Sequence, residues 1–184
     1  MRKSANTIKT VRIMTLAAML VAMSVVIGIF CKTFLNFGFG LFRITFENMP
    51  IIMSGVLFGP YVGGLVGVCS DVVSYLFSGQ AYPLNPIVSL GALAVGVVSG
   101  LVARYGVKKR GTAQIIISSA AAHLVGSMII KPIGLYQFYG IMVLWRIPLY
   151  LVIAPIEILV LCLLFRQKTF RRLINDYTGD KNEL

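Results

Sequence analysis

Only three carboxylates precede the polar tail that begins at Asn175, namely Glu47, Asp71 and Glu157, and each lies in or beside a long apolar run. A charge at the centre of a membrane-crossing helix costs at least about 2.5–3.5 kcal/mol, so such a residue marks a functional site by default. Each carboxylate also has a plainer reading. Glu47 follows Arg43 by four residues, the spacing of a helical ion pair. Asp71 has no basic residue within helical reach, so it must find a partner across the fold, with His123 available, or bind a ligand. Glu157 comes just after Pro155 and suits a buried hydrogen-bonding anchor as well as a site.

Cations and aromatic rings gather in three connecting stretches. The first, Lys32 to Arg43, sets two cations around four phenylalanines. The second, Ser78 to Pro86, contains Gln80, Tyr82 and Asn85. The third starts at Lys131-Pro132 and runs through Tyr136, Gln137, Phe138 and Tyr139 to Trp145-Arg146. Rings for stacking and cations for carboxylates together suit a flat, conjugated, anionic ligand. An interfacial aromatic belt would account for the rings alone, but not for the cations among them.

Enzymatic chemistry finds little to work with. No Walker A sequence is present, so the chain does not bind ATP in the P-loop manner. His123 is the single histidine, which leaves no His-rich metal site and no H-E-x-x-H. Three carboxylates scattered over three segments are a poor substitute for clustered acidic metal ligands, and Ser70-Asp71 is not a hydrolase elbow. The expectation is a non-enzyme without cofactor or metal.

The elements that must position these residues follow from composition. Of 184 residues, 58% are hydrophobic and 12% charged, against about 25% charged in soluble domains. The net charge of +11 raises a nucleic-acid binder, but such proteins line their cations along one solvated face. Here the cations sit in short clusters between apolar runs, the pattern of a multi-pass membrane protein. Six segments can be read, about 13–31, 44–58, 63–77, 87–103, 113–130 and 144–165, and the chain is one all-α domain over 1–184 with 175–184 a polar tail. A spanning helix needs about 20 residues. The second and third segments are short, and either cross with buried ends or form a hairpin that does not cross.

With six spans and a cytoplasmic N-terminus, thirteen of the seventeen cations fall inside, leaving Lys32, Arg43, Lys131 and Arg146 outside. That split obeys the positive-inside rule and puts both termini in the cytoplasm. The first apolar run is longer than the about 7–15 residues of a signal peptide, so it reads as a retained helix. Cys31, Cys69 and Cys162 are too dispersed for a disulfide framework or a C-x-x-C site. Small residues recur four apart at Ala18/Ala22, Gly59/Gly63/Gly67 and Gly96/Gly100. This spacing lets helix backbones approach closely in lipid. For Ala18 and Ala22, packing within the bundle and docking of another membrane protein remain equally open. No internal repeat is evident, which weighs against a self-sufficient inverted-repeat transporter.

Six spans in about 180 residues with an alanine stripe on the first helix resemble the S-components of energy-coupling-factor (ECF) vitamin transporters. Phe58-Gly-Pro-x-x-Gly63 is similar to S-components for several vitamins. The stretch Arg43-Ile-Thr-Phe-Glu-Asn-Met-Pro50, together with Gly63 to Asp71, is most similar to the folate-specific ones. The resemblance implies high-affinity capture of folate from outside under lid-like loops, and no catalysis by this chain. It implies association with a transmembrane coupling subunit and two ATPases, whose hydrolysis topples the S-component in the prokaryotic plasma membrane. Ala18 and Ala22 then match the docking stripe. Arg43, Glu47, Asn48 and Asp71 match the motif, and Glu47 or Asp71 becomes the acceptor for the amidine-like pterin edge. Tyr136, Tyr139 and Trp145 would stack, Lys131, Arg146 or Arg43 would meet the glutamate carboxylates, and Tyr82 and Asn85 would line the site. Pantothenate, riboflavin or a related vitamin is the alternative cargo, and a ligand-free structural subunit is the alternative class.

Overall fold

The protein, described here as a computed structural model, is placed for residues 2–37, 42–77, 85–106 and 111–167. Its long apolar runs form helices because a chain in lipid must satisfy its backbone groups within each segment. Helix α1 is Arg2–Phe34, and it leads into a two-residue antiparallel pair, β1 (Asn36–Phe37) with β2 (Phe42–Arg43). Next come α2 (Asn48–Phe58), α3 (Pro60–Phe77) and α4 (Pro86–Leu101), the last extended by a π-helical turn, Val102–Gly106. Helix α5 (Thr112–Ala122) runs on through a π-helical segment, His123–Ile130, into α6 (Lys131–Tyr139). A 3₁₀ stretch, Gly140–Trp145, precedes α7 (Arg146–Arg166).

Each of the six apolar segments contains a helix, although the second, 44–58, is helical only from Asn48. Among the described residues, five helices are long and apolar enough to cross a membrane: Thr10–Phe34, Pro60–Phe77, Pro86–Gly106, Thr112–Gln137 and Pro148–Arg166. The sixth, α2, has 11 residues, about half the span of a bilayer core at about 1.5 Å per residue. The chain is a multi-pass membrane protein. Its lipid-facing surface carries exposed Met14, Met19, Met23, Val26 and Phe30 on α1 and Leu151, Val152, Leu159 and Leu163 on α7.

Where the C-terminal ends of α2 and α4 meet the N-terminal end of α3, the contact is held by the missing side chains of glycines. A Cβ on Gly63 would come within 2.5 Å of the Gly96 carbonyl oxygen and 2.6 Å of Gly55 Cα. One on Gly100 would come within 2.5 Å of Pro60 N, and one on Gly96 would overlap the Gly63 carbonyl. Backbones of α2, α3 and α4 thus touch directly, the close approach that small residues permit in membranes. Around this junction pack Ile51, Ile52, Val66, Val95 and Leu161. Gly59 ends α2 at φ 94°, which a residue with a Cβ rarely adopts, and Pro60 opens α3, where its missing N–H costs no helical bond.

The third connecting stretch departs from expectation. Lys131 to Tyr139 is helix rather than loop. Upstream of Pro132 the helix widens into the π segment, with Lys131 N–H reaching the Gly126 carbonyl. Pro132 then sits in the first turn of α6, where proline is tolerated. The dipeptide that reads as a break in the sequence is absorbed by a bulge.

Candidate functional site: a buried polar cluster at one end of the bundle

The C-terminal ends of α1 and α3 and the N-terminal ends of α2, α4 and α6 share one end of the molecule. Three residues named from the sequence converge there. Lys131 Nζ donates to Asn48 Oδ1 at 2.8 Å and lies 3.6 Å from Glu47 Oε1. The longer distance is an ion pair rather than a direct charge-assisted bond, which runs to about 2.7–2.9 Å. Lys131 and Asn48 are buried, while the Glu47 side chain keeps 20% of its surface exposed. The carboxylate therefore sits at the mouth of the cluster. It also stands at the start of α2, where the helix dipole favours negative charge.

Local sequence explains how each group reaches this point. Residues 44–46 are non-helical, so Arg43 and Glu47 do not lie on one continuous helix, the setting in which an i,i+4 pair would form. Instead α1 supports Glu47: Ser24 Oγ donates to its carbonyl at 2.7 Å. A Cβ on Gly28 would lie 3.0 Å from Glu47 Oε2 and 3.4 Å from Ser74 Oγ. One turn further, Lys32 Nζ donates to Ser74 Oγ at 2.9 Å. The Lys131 stem needs space of the same kind, since a Cβ on Gly91 would stand 2.7 Å from Lys131 Cγ. Below, Asn48 Nδ2 donates to Ser127 Oγ at 3.3 Å.

The other carboxylates are engaged elsewhere. Asp71 accepts from Ser89 Oγ on α4 at 2.6 Å, so its partner is Ser89 and not His123. His123 pairs with Glu157, Nε2 to Oε2 at 2.7 Å, with both residues fully enclosed. The two atoms sit at ion-pair distance but off the hydrogen-bonding direction, and neither side chain has another hydrogen-bond partner among the described residues. Asn85 is an N-cap: its Oδ1 accepts from Ile87 N at 3.0 Å while Nδ2 donates to the Gly134 carbonyl at 2.5 Å, tying α4 to α6.

Tyr136 is 56% exposed on α6. Arg43, Tyr139, Trp145 and Arg146 are placed by backbone only, in β2, α6, the 3₁₀ stretch and α7. Tyr82 lies outside the described residues. Ala18 and Ala22 are exposed on α1, whereas Ala17 turns toward the core.

Sequence reasoning did not single out Ser24, Gly28, Ser74, Gly91 or Ser127. The serines carried a signal, as hydroxyls inside apolar runs. The two glycines carried none, because their role is to leave space for a side chain on another helix.

A family model described as "ECF transporter, substrate-specific component" matches residues 12–174. The "Folate transporter FolT" of Clostridium novyi (strain NT) is 33% identical over 94 residues, covering 50% of this chain and 51% of that protein. The chain spans at most about half the length of the curated relatives it matches. Two solved structures share the fold. "Crystal structure of FolT bound with folic acid" superposes with a TM-score of 0.63 at 23% identity, over 81% of this chain and 88% of that one. "Structure and mechanism of the S component of a bacterial ECF transporter" gives 0.61 at 24%, over 91% and 98%.

Proposed function

The chain belongs to the substrate-specific components of ECF transporters, and from that premise we propose that it captures folate at the polar end of its bundle. It is a transport component and not an enzyme. The observation that carries the folate reading is the meeting of Glu47 and Asn48, from the Arg-x-Thr-Phe-Glu-Asn-x-Pro stretch, with Lys131 in one enclosed cluster. The similarity to a folate transporter over about half the chain supports the same cargo.

In this reading the part-exposed Glu47 carboxylate accepts paired hydrogen bonds from the pterin edge, with Asn48 and Lys131 fixing its orientation. Asp71, committed to Ser89, shapes the wall between α3 and α4 instead. Lys131 lies too deep for the glutamate tail, which leaves Arg43 and Arg146 to hold the carboxylates. Tyr139 and Trp145 supply stacking, and Tyr82 and Asn85 border the site from the second stretch. Exposed Tyr136 would join only as the outer segments close over the ligand.

Transport itself is assigned to partners. The chain works in the prokaryotic cell membrane with both termini cytoplasmic, beside a transmembrane coupling subunit and two ATPases, and topples to deliver its vitamin. Ala18 and Ala22 present the docking stripe, supported by their exposure on α1. Tryptophan at both positions is expected to abolish uptake and leave binding intact; surviving uptake would reduce the stripe to ordinary lipid contact.

Equilibrium binding of the purified chain to a vitamin panel, without nucleotide, tests the cargo. Tight folate binding is expected. Selective binding of pantothenate or riboflavin would reassign it.

A further inference from the structure

His123, Ser127 and Lys131 recur every four residues along the continuous helix Thr112–Gln137, and all three are buried. They form a polar ladder beneath the mouth of the site. Lys131 meets Asn48 and Glu47, Ser127 meets Asn48, and His123 meets Glu157 of α7. The lowest rung has no part in the capture reading above, yet it encloses two ionisable groups in a membrane helix bundle. An enclosed ion pair can often be replaced by apolar side chains without loss, whereas removing one partner alone is costly.

One feature connects this rung to those above it. His123 opens the π-helical segment His123–Ile130, whose widened turn ends at Lys131. Interruptions of this kind are frequent at functional sites. No other ionisable side chain joins this set from α4 or α5, which contain none.

We propose that His123 and Glu157 are positioning residues for the ligand site, anchoring the π segment to α7 so that Ser127 and Lys131 meet Asn48 and Glu47. The role rests on reading that cluster as the ligand site, but its first test needs no ligand. Glu157→Gln keeps the size of the side chain and removes its charge. Competitive acylation of lysines in the full chain, read by mass spectrometry, should label Lys131 about tenfold faster in this variant, with Lys32 unchanged. Lys131 labelling at the wild-type rate would overturn the proposal.

The second readout uses the double variant His123→Leu/Glu157→Met, which fills the same space without charge and should keep its melting temperature. Its affinity for folate, or for whichever vitamin the wild-type chain binds, is expected to fall about tenfold. Wild-type affinity would make the pair mere core filling. Should Glu157→Gln fail to fold, the double variant carries both readouts. A chain that binds no folate yet exposes Lys131 when the pair is removed would sink the folate reading and keep the positioning role.

Discussion

The two ends of the helical bundle are specified in opposite ways. Where α2, α3 and α4 cross, the contact is made of glycines, and carbonyls lie where side chains would otherwise be. At the other end the contact is made of side chains with charge and hydrogen-bonding capacity: Lys131, Asn48, Glu47, Ser127 and Ser24. The glycine junction leaves no freedom, because backbone cannot rotate away from an added methyl. The polar end tolerates a change of shape but not of charge, since a buried group without its partner loses the hydrogen bond and keeps the desolvation cost. Substitutions should therefore destroy folding at the first and binding at the second.

The sharpest break of that contrast is Gly96→Val. Its Cβ would overlap the Gly63 carbonyl, so the cost should reach or exceed the upper end of the about 1–3 kcal/mol usual for overpacking. Thermal unfolding with size-exclusion chromatography in detergent should show little folded protein. Lys131→Gln comes next. It should leave the fold recoverable while costing about 2–5 kcal/mol of ligand affinity, the usual effect of removing one partner of an enclosed charge pair. A large loss of melting temperature without loss of affinity would erase the distinction between the two ends. Arg146→Ala should have the smallest effect, about tenfold against folate and near none against a pterin lacking the glutamate tail. Equal losses for both ligands would mean that Arg146 does not read the tail.

Much of this was legible from residues alone. Five of the six apolar segments lie in helices of spanning length among the described residues, because hydrophobicity over long stretches leaves a strong local pattern; the second yields only the 11-residue α2. Glu47 and Asn48 were legible through their motif, and Lys131 through its place among aromatics. The partners were not. Lys131 and Asn48 are 83 positions apart, and Asn48 and Ser127 are 79 apart, so nothing local records their meeting. Asp71 looked like the candidate for His123, and only the packing of α7 against the π segment puts Glu157 there instead. The helical state of Lys131 to Tyr139 was hidden because Lys131-Pro132 signals a break, and a π bulge has no compositional mark. Gly28 and Gly91 were invisible for the plainest reason: their contribution is room for Glu47 and Lys131 on other helices.

In the proposed function the cluster built on Glu47, Asn48 and Lys131 recognises the pterin of folate. Calorimetric titration of folate into the purified wild-type chain and into Glu47→Gln, without nucleotide, tests it most directly. Binding to the wild type should be about nanomolar, with a loss of about 2 kcal/mol or more for the variant, whose amide cannot accept the paired bonds of the pterin edge. Folate binding that is indifferent to Glu47→Gln, or tight binding of another vitamin with none of folate, would contradict it.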